Sequence, residues 1–455
     1  MNRIAVINVV GLTEAHLGEH TPNITALAHA SSLTSLIPPL PAVTCTVQSS
    51  MLTGSSPKEH GIVANGWHER ETKETSFWRQ SNELVERDKI WDSLRAENSS
   101  FTVANMFWWF NMYSSADIAV TPRPIYCANG RKIPDIWTSP SSLRHSLQTK
   151  FGQFPLFHFW GPMANITSTT WIINATIEVE KTYTPSLTLV YIPHLDYPLQ
   201  KLGPNHPSIA RELQAVDAEV GKLINHFRTR NIDVCILSEY GIEEVTGAVP
   251  INRILRKNDW IAIREELGRE YLDAGASACF AVPDHQVAHV YVQDKQNINA
   301  IASVLQESDG IEFVFVGDQR GELAHERCGD IVVVAASGTW FSHDWWDEDA
   351  KAPDYQTTVN IHAKPGYDPR ELFFAEGWRG SKVRIALKVL MKKLGSNTLL
   401  DVITTDTSKV KGSHGRTPAM GAPSPILIAP KCAKKMPQSL PSAALKNLLF
   451  DWVTS

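Results

Sequence analysis

The sequence contains no uninterrupted apolar stretch of the ~18 residues that a membrane-spanning helix needs, so no helical span is expected. The opening Met1-Asn2-Arg3 leads straight into IAVINVV, which is too short for the apolar region of a secretory signal and has no cleavage site after it. There is no Cys-x-x-Cys pair. The six cysteines (Cys45, Cys127, Cys235, Cys279, Cys328 and Cys432) are scattered, which argues against a structural zinc knuckle. These absences together lead us to expect a cytoplasmic protein with reduced thiols. Basic runs are missing too, apart from Lys431, Lys434 and Lys435, and the net charge is −5, so a nucleic-acid footprint is not expected. Neither internal repeats nor low-complexity tracts occur.

What is present is an ordinary globular balance, 43% hydrophobic and 20% charged over 455 residues. That length suits two or three domains, or one large α/β domain with an insertion. The 14 tryptophans cluster at Trp108-Trp109 and Trp345-Trp346, which fits aromatic-walled loops and fits plain packing equally.

Apolar periodicity predicts alternating strands and helices. Ile4–Val10 is a continuous apolar run of the kind a doubly covered parallel strand requires. Thr21-Pro22 marks a helix start. Leu33–Val43 is extended and proline-rich, and a helix ending at Thr53-Gly54 follows it. Further strands are expected at Phe101–Met106, Leu187–Ile192 and Val234–Leu237, with a long amphipathic helix at Ile209–Arg228. The helix Val383–Leu394, the strand Pro425–Ile428 and a last helix, Ser442–Val453, follow. The expected fold is α/β: a central, mostly parallel sheet flanked by helices. Its core is assigned to residues 1–106, 186–250 and 376–455. Residues 107–185 are read as an aromatic cap insertion and residues 251–375 as a smaller α+β insertion.

Ligands in such sheets bind beyond the carboxyl ends of the strands. Thr44, His194, Asp196, Glu239 and His414 fall on loops of that kind or on glycine-flanked loops. Thr44 stands at a helix start, where free N–H groups and partial positive charge suit a phosphate. A hydroxyl there could attack phosphorus, or it could simply cap the helix, as could that of Thr46. Asp196, Glu239 and His414 are donors that a divalent ion accepts. His194 would join them if its loop is extended, because alternate side chains then share a face. The PDHQVAH stretch offers a second group, Asp284, His285 and His289.

The segment LPAVTCTVQSSMLTGSSPKEHGIVANG resembles the nucleophile segment of the alkaline-phosphatase superfamily, in its type I phosphodiesterase/nucleotide pyrophosphatase branch. Thr44 opens the helix there, Thr53-Gly54 closes it, and Pro57-x-x-His60-Gly61-Ile62 follows. LVYIPHLDYPLQKLGP, CILSEYGI and GSHGRTP resemble three further loops of that family in the same order. The resemblance implies a metal-dependent hydrolase or transferase acting on a phosphodiester or pyrophosphate, with Thr44 as nucleophile. The implied cofactor is one or two divalent ions, zinc with manganese or iron as alternatives, held by Asp196, Glu239, His414 and His194. The partner is a small-molecule phosphoester. Four positions depart from the family pattern. Val10 replaces a ligating Asp, Gln200 a His, and Glu239-Tyr240 an Asp-His pair. The Asn that in the family follows the nucleophile to hold a phosphate oxygen is missing, and Gln48 is the nearest amide. His194, Asp284, His285, His343, His362 and Asp368 are candidates to complete a rearranged site. The alternative is a degenerate relative that holds a phosphorylated ligand or a protein partner without turnover.

Overall fold

The computed structural model describes residues 1–418 and 423–455. Its centre is a nine-stranded sheet, numbered here along the chain as β1 (Ile4–Val9), β2 (Leu33–Ile37), β3 (Val103–Met106), β4 (Ile118–Pro122), β5 (Ile136–Ser139), β6 (Leu187–Ile192), β7 (Asp233–Leu237), β8 (Ile426–Ile428) and β9 (Ser439–Pro441). The spatial order is β9-β2-β8-β7-β1-β6-β3-β4-β5. Only β5 and β8 run against the other seven. The two innermost strands, β1 and β6, are buried along their whole length and pair in parallel from Ile4↔Leu187 to Val9↔Ile192. Both faces are covered by helices, so these strands read as unbroken apolar runs rather than alternating ones.

The covering helices follow the 3.6-residue period. Ile209–Thr229 buries Leu213, Val216, Val220, Leu223 and Phe227 on one stripe and leaves its other side charged. Ile166–Tyr183 packs beside it and buries Trp171, Ile172, Ala175 and Val179. Among the described residues no helix is long and apolar enough to cross a membrane.

Two of the expected boundaries change. Residues 107–185 do not form a cap. They supply β4 and β5 to the central sheet, and Phe107, Trp108, Phe154 and Trp171 belong to its main apolar cluster. The aromatic density that suggested a surface insertion is core packing at one edge of the sheet. Within residues 376–455, the helix Lys382–Lys393 buries none of its residues and so lies outside the core, which resumes at β8. Residues 251–375 carry a separate antiparallel sheet built from Cys279–Asp284, Val287–Val292, Ile311–Val316 and Ile331–Ala335, with its own apolar cluster. This lobe reaches the central sheet at one place that matters, where the Gln286 N–H donates to the His414 carbonyl at 3.0 Å.

Candidate active site

Four loops converge at the carboxyl ends of β1, β6 and β7. The helix Thr44–Thr53 begins directly after the turn Pro41-Ala42-Val43. Val43 is its N-cap, and Thr44 is the first helical residue. The Thr44 hydroxyl is therefore not spent on capping. It lies 3.1 Å from the Tyr240 hydroxyl, and the residue is only 3% exposed. Gly54, in the left-handed region at φ 66°, ends the helix as the sequence predicts.

Asp196 follows β6 and opens a short helix, Asp196–Leu202. Its carboxylate accepts from Gln200 Nε2 at 2.7 Å and from the Tyr240 hydroxyl at 3.4 Å. Glu239 follows β7. It accepts from Asn8 Nδ2 and from Gln48 Nε2, both at 2.5 Å. Gly241 and Gly412 let these loops close. A Cβ at Gly412 would stand 2.2 Å from the Leu199 carbonyl oxygen, and one at Gly241 would stand 2.1 Å from that of Pro423.

His414 arrives from the late Gly412-Ser413-His414-Gly415 loop. Its Nδ1 is 2.8 Å from the Ala42 carbonyl, which fixes Nδ1 as the protonated nitrogen. Nε2 then carries a free lone pair. It is buried, has no hydrogen-bond partner, and lies 3.8 Å from Asp196 Oδ1. The ring is sandwiched, with Tyr240 parallel to it at 3.5 Å between centroids and His285 on its other side at 3.8 Å. His285 stacks in turn on Tyr367 at 3.6 Å. A column Tyr240–His414–His285–Tyr367 thus walls one side of the site.

Burial dominates the electrostatics. Desolvation pushes Asp196 up to about 7, against the hydrogen bonds from Gln200 and Tyr240. Glu239 is pushed up to about 8 by the same cause, despite its amide donors. Burial also lowers His414 and His285 well below the ordinary imidazole value, so both rings are neutral. Tyr240 is pushed well above the ordinary phenol value by burial and by the charges of Asp196 and Glu239, so it remains a neutral donor rather than an ionised ligand.

The expected site residues divide. Thr44, Asp196, Glu239 and His414 come together, joined by Asp284 and His285. His194 does not. Residues 193–197 form a turn, with the Asp196 N–H donating to the Pro193 carbonyl and the Tyr197 N–H to that of His194. Positions 194 and 196 therefore do not share a face. His194 Nε2 instead meets Glu212 at 2.7 Å. Gln48 is not free for substrate either, since its Oε1 accepts the Trp109 N–H at 2.7 Å while its amide holds Glu239. His289, His343, His362 and Asp368 are engaged elsewhere, with Val63, Gln356, Phe77 and the Lys364–Arg370 pair.

Two site residues escaped the sequence reading. By the sequence pattern the phosphate-holding Asn is missing and Gln48 is the nearest amide, yet Asn65 Oδ1 accepts the Cys45 N–H at 3.0 Å, one residue from Thr44, and its Nδ2 reaches Asp284 at 3.1 Å. Its position shortly after His60-Gly61-Ile62 was the available signal. Asn8 interrupts the apolar run of β1 and is fully buried. A polar residue inside such a run must find a partner.

Asp196 Oδ1 and the orphaned Nε2 of His414 are close enough to share a single divalent ion. The backbone carbonyl on Nδ1 orients the imidazole as metal-bound histidines commonly are. The second position would need Val10, which has no donor atom, and Tyr240, whose neutral hydroxyl lies between Thr44 and Asp196. Among the described residues no group of three or more His, Cys, Asp or Glu side chains forms a metal cage.

Residues 4–368 match the model of the type I phosphodiesterase / nucleotide pyrophosphatase family. An uncharacterized pyrophosphatase/phosphodiesterase of Schizosaccharomyces pombe is 25% identical over 250 residues, which is 52% of this chain and 44% of that protein. The match thus spans less than half of that relative. Among solved structures, murine ectonucleotide pyrophosphatase / phosphodiesterase 5, an inactive form in complex with AMP, superposes with a TM-score of 0.60 at 13% identity, covering 100% of this chain and 95% of that one. Phosphonoacetate hydrolase from Sinorhizobium meliloti 1021, in complex with phosphonoacetate, gives 0.62 at 13% identity with the same coverage. At that identity the likeness carries the fold alone.

Proposed function

This chain belongs to the type I phosphodiesterase/nucleotide pyrophosphatase family, and from that premise we propose that it hydrolyses a small-molecule phosphodiester or pyrophosphate with Thr44 as the nucleophile. The observation that carries the reading is the hydroxyl chain Thr44–Tyr240–Asp196 at the start of the Thr44–Thr53 helix. Thr44 Oγ1 forms the new bond to phosphorus, and the leaving-group oxygen departs with the electron pair of the bond that breaks. The Thr44 proton moves to the Tyr240 oxygen as the Tyr240 proton moves toward Asp196. The first turn of the helix, which Asn65 holds at the Cys45 N–H, would present its positive end to the negative charge that develops. Water then attacks the same phosphorus, the bond from phosphorus to Thr44 Oγ1 breaks, the phosphomonoester that keeps the remaining ester group leaves, and Thr44 regains its proton.

Asp196 and His414 would hold one divalent ion, zinc with manganese or iron as alternatives. When bound, such an ion supplies positive charge against the non-bridging oxygens. Its neighbourhood is dry and its imidazole ligand is neutral, which favours binding. We assign the protein to the cytoplasm, in keeping with its six free cysteines.

A second reading is a relative that holds a phosphorylated ligand without turnover. The Tyr240 hydroxyl, lodged between Thr44 and Asp196, favours it. Turnover of an aryl phosphodiester with zinc, manganese or iron added separates the two. Thr44→Ala should lose activity by several orders of magnitude while losing only about 1 kcal/mol of stability, the worth of one hydrogen bond. Thr46→Ala should stay near the parent. If Thr44→Ala hydrolyses the ester as fast as the parent, Thr44 is not the nucleophile. If the parent shows no turnover with any ion, the binding reading replaces this one.

A further inference from the structure

The helix Lys382–Lys393 is amphipathic, but it sits on the protein the wrong way round. Its sequence, KVRIALKVLMKK, contains five cations and no acid. Arg384 and Lys388 face inward, where both pair with Asp401. The Arg384 guanidinium also donates to the Arg379 and Asp401 carbonyls, and Lys388 to that of Leu399. The apolar side is thereby turned to solvent. Val383, Leu387, Leu390 and Leu394, spaced at helical i, i+4, i+7 and i+11, are all more than half exposed, and Trp378 just before the helix is 66% exposed. A globular protein gains nothing by holding such a row in water.

This helix lies on an excursion pinned at its base. Phe374 and Ile403 form a bridge, and the Ala375 N–H donates to the Val402 carbonyl at 2.8 Å. The stretch between them can therefore contact a partner without disturbing the His414 loop that follows it.

We propose that this face docks on an anionic phospholipid surface. Charge decides between occupants. Arg379, Lys382 and Lys393 rim the apolar row, are exposed, and have no acidic partner among the described residues. Burial lowers the affinity of Lys132 for a proton, and the Lys392 charge lowers it further. Two copies of this face brought together would set lysine against lysine, and the acids of the excursion are already paired, Asp401 with Arg384 and Lys388 and Glu376 with Lys409. An anionic bilayer supplies the missing negative charge, and its interface accepts leucine, methionine and tryptophan side chains from a helix lying in its plane.

The test uses the full chain and two sets of vesicles, phosphatidylcholine alone and phosphatidylcholine with phosphatidylglycerol, read by flotation. Binding is expected to the anionic set and to fall with added salt. The double variant Lys382→Glu, Lys393→Glu should bind at least roughly thirty-fold less, the product of two lost interfacial cations. Leu387→Asp with Leu390→Asp should abolish binding, and both variants should retain parent turnover of a soluble ester and the parent circular dichroism spectrum. Equal binding to neutral vesicles, or no flotation with the anionic ones, overturns the proposal. So does a concentration-dependent dimer that the leucine variant dissolves, since that would make a second copy the occupant.

Discussion

Replacing Tyr240 by phenylalanine removes one oxygen from the centre of the site and little else. The ring keeps its parallel contact with His414, 3.5 Å between centroids and 7° between planes. The lost hydroxyl makes one ordinary contact, 3.1 Å to Thr44, and one long one, 3.4 Å to Asp196. Asp196 retains its Gln200 donor at 2.7 Å. Net loss of stability should therefore be about 1 kcal/mol, near the value for a single buried hydrogen bond. In a chain of this length that shifts the melting temperature by about 1 °C. If the phenol passes the Thr44 proton toward Asp196, losing it should reduce kcat/KM by about 100- to 10,000-fold, the range for a positioned proton-transfer group. If it only positions Thr44, the ~1 kcal/mol lost corresponds to a factor of about five. Thermal melts and the pH profile of kcat/KM with an aryl phosphodiester distinguish these outcomes. A variant with the small melting shift and unchanged turnover would refute the relay. Faster turnover would mean that the phenol obstructs the site, and would favour the reading in which the parent binds without hydrolysing.

Other predictions concern charge and ligation. Asp196, Glu239 and Asp284 are raised by burial to about 7, 8 and 6, so between their unfolded values near 4 and these values the folded chain binds more protons than the unfolded one, and stability falls as pH rises. Buried histidines such as His60, lowered to about 3, and His289, lowered to about 4, act in the opposite sense, losing stability as pH falls below about 6.5. In a chelated sample, the melting temperature of the parent relative to Glu239→Gln should therefore decline from about pH 6.5 to about pH 8; a difference that grows in the parent's favour across this window would contradict the assignment. Asp196→Asn should lose the ion in a direct titration with zinc. His194→Asn, which gives up only the bond to Glu212, should titrate like the parent, and a lost ion there would return His194 to the ligand set.

The fold was legible because its strongest signals are local and repeated. The runs at β1 and β6 and the stripe Leu213–Phe227 state their periods openly, and each lies where expected. The edge of the sheet was not legible. β4 and β5 are short, and the tryptophans around them give the same composition whether they wall a loop or fill a core. The site divided along the same line. Thr44, Asp196, Glu239 and His414 could be found from loops that follow strands or flank glycines. His194 misled because its loop turns where an extended one was assumed, and spacing of two residues carries meaning only in an extended chain. Asn8 and Asn65 were missed because their partners, Glu239 and Asp284, lie more than two hundred residues away, and no pattern within either segment names them.

The substitutions in the site are better understood as one change than as several. A divalent ion would offset two carboxylates by charge. Here Asp196 is met by Gln200 and Tyr240, and Glu239 by Asn8 and Gln48, all four of them neutral donors. Neutral hydrogen bonds stabilise a buried carboxylate less than a cation does, and the shortfall is visible in both acids rising toward neutrality. A proton on each carboxyl group and a divalent ion between donors are then two ways of reaching the same local charge. The Asp196–His414 side keeps the orphaned His414 Nε2, a neutral nitrogen that favours an ion, while the Glu239 side keeps only that carboxylate's own Oε2 without a hydrogen-bond partner. On the Glu239 side, Val10 offers nothing, and the amides of Asn8 and Gln48 already occupy Oε1. Ion binding at Asp196 must therefore compete with its proton, growing tighter as pH rises toward about 7. Glu239 lies on the side where protons and amides meet the carboxylate's charge, so a proton and an ion are alternatives at Asp196 while amides and a proton serve at Glu239.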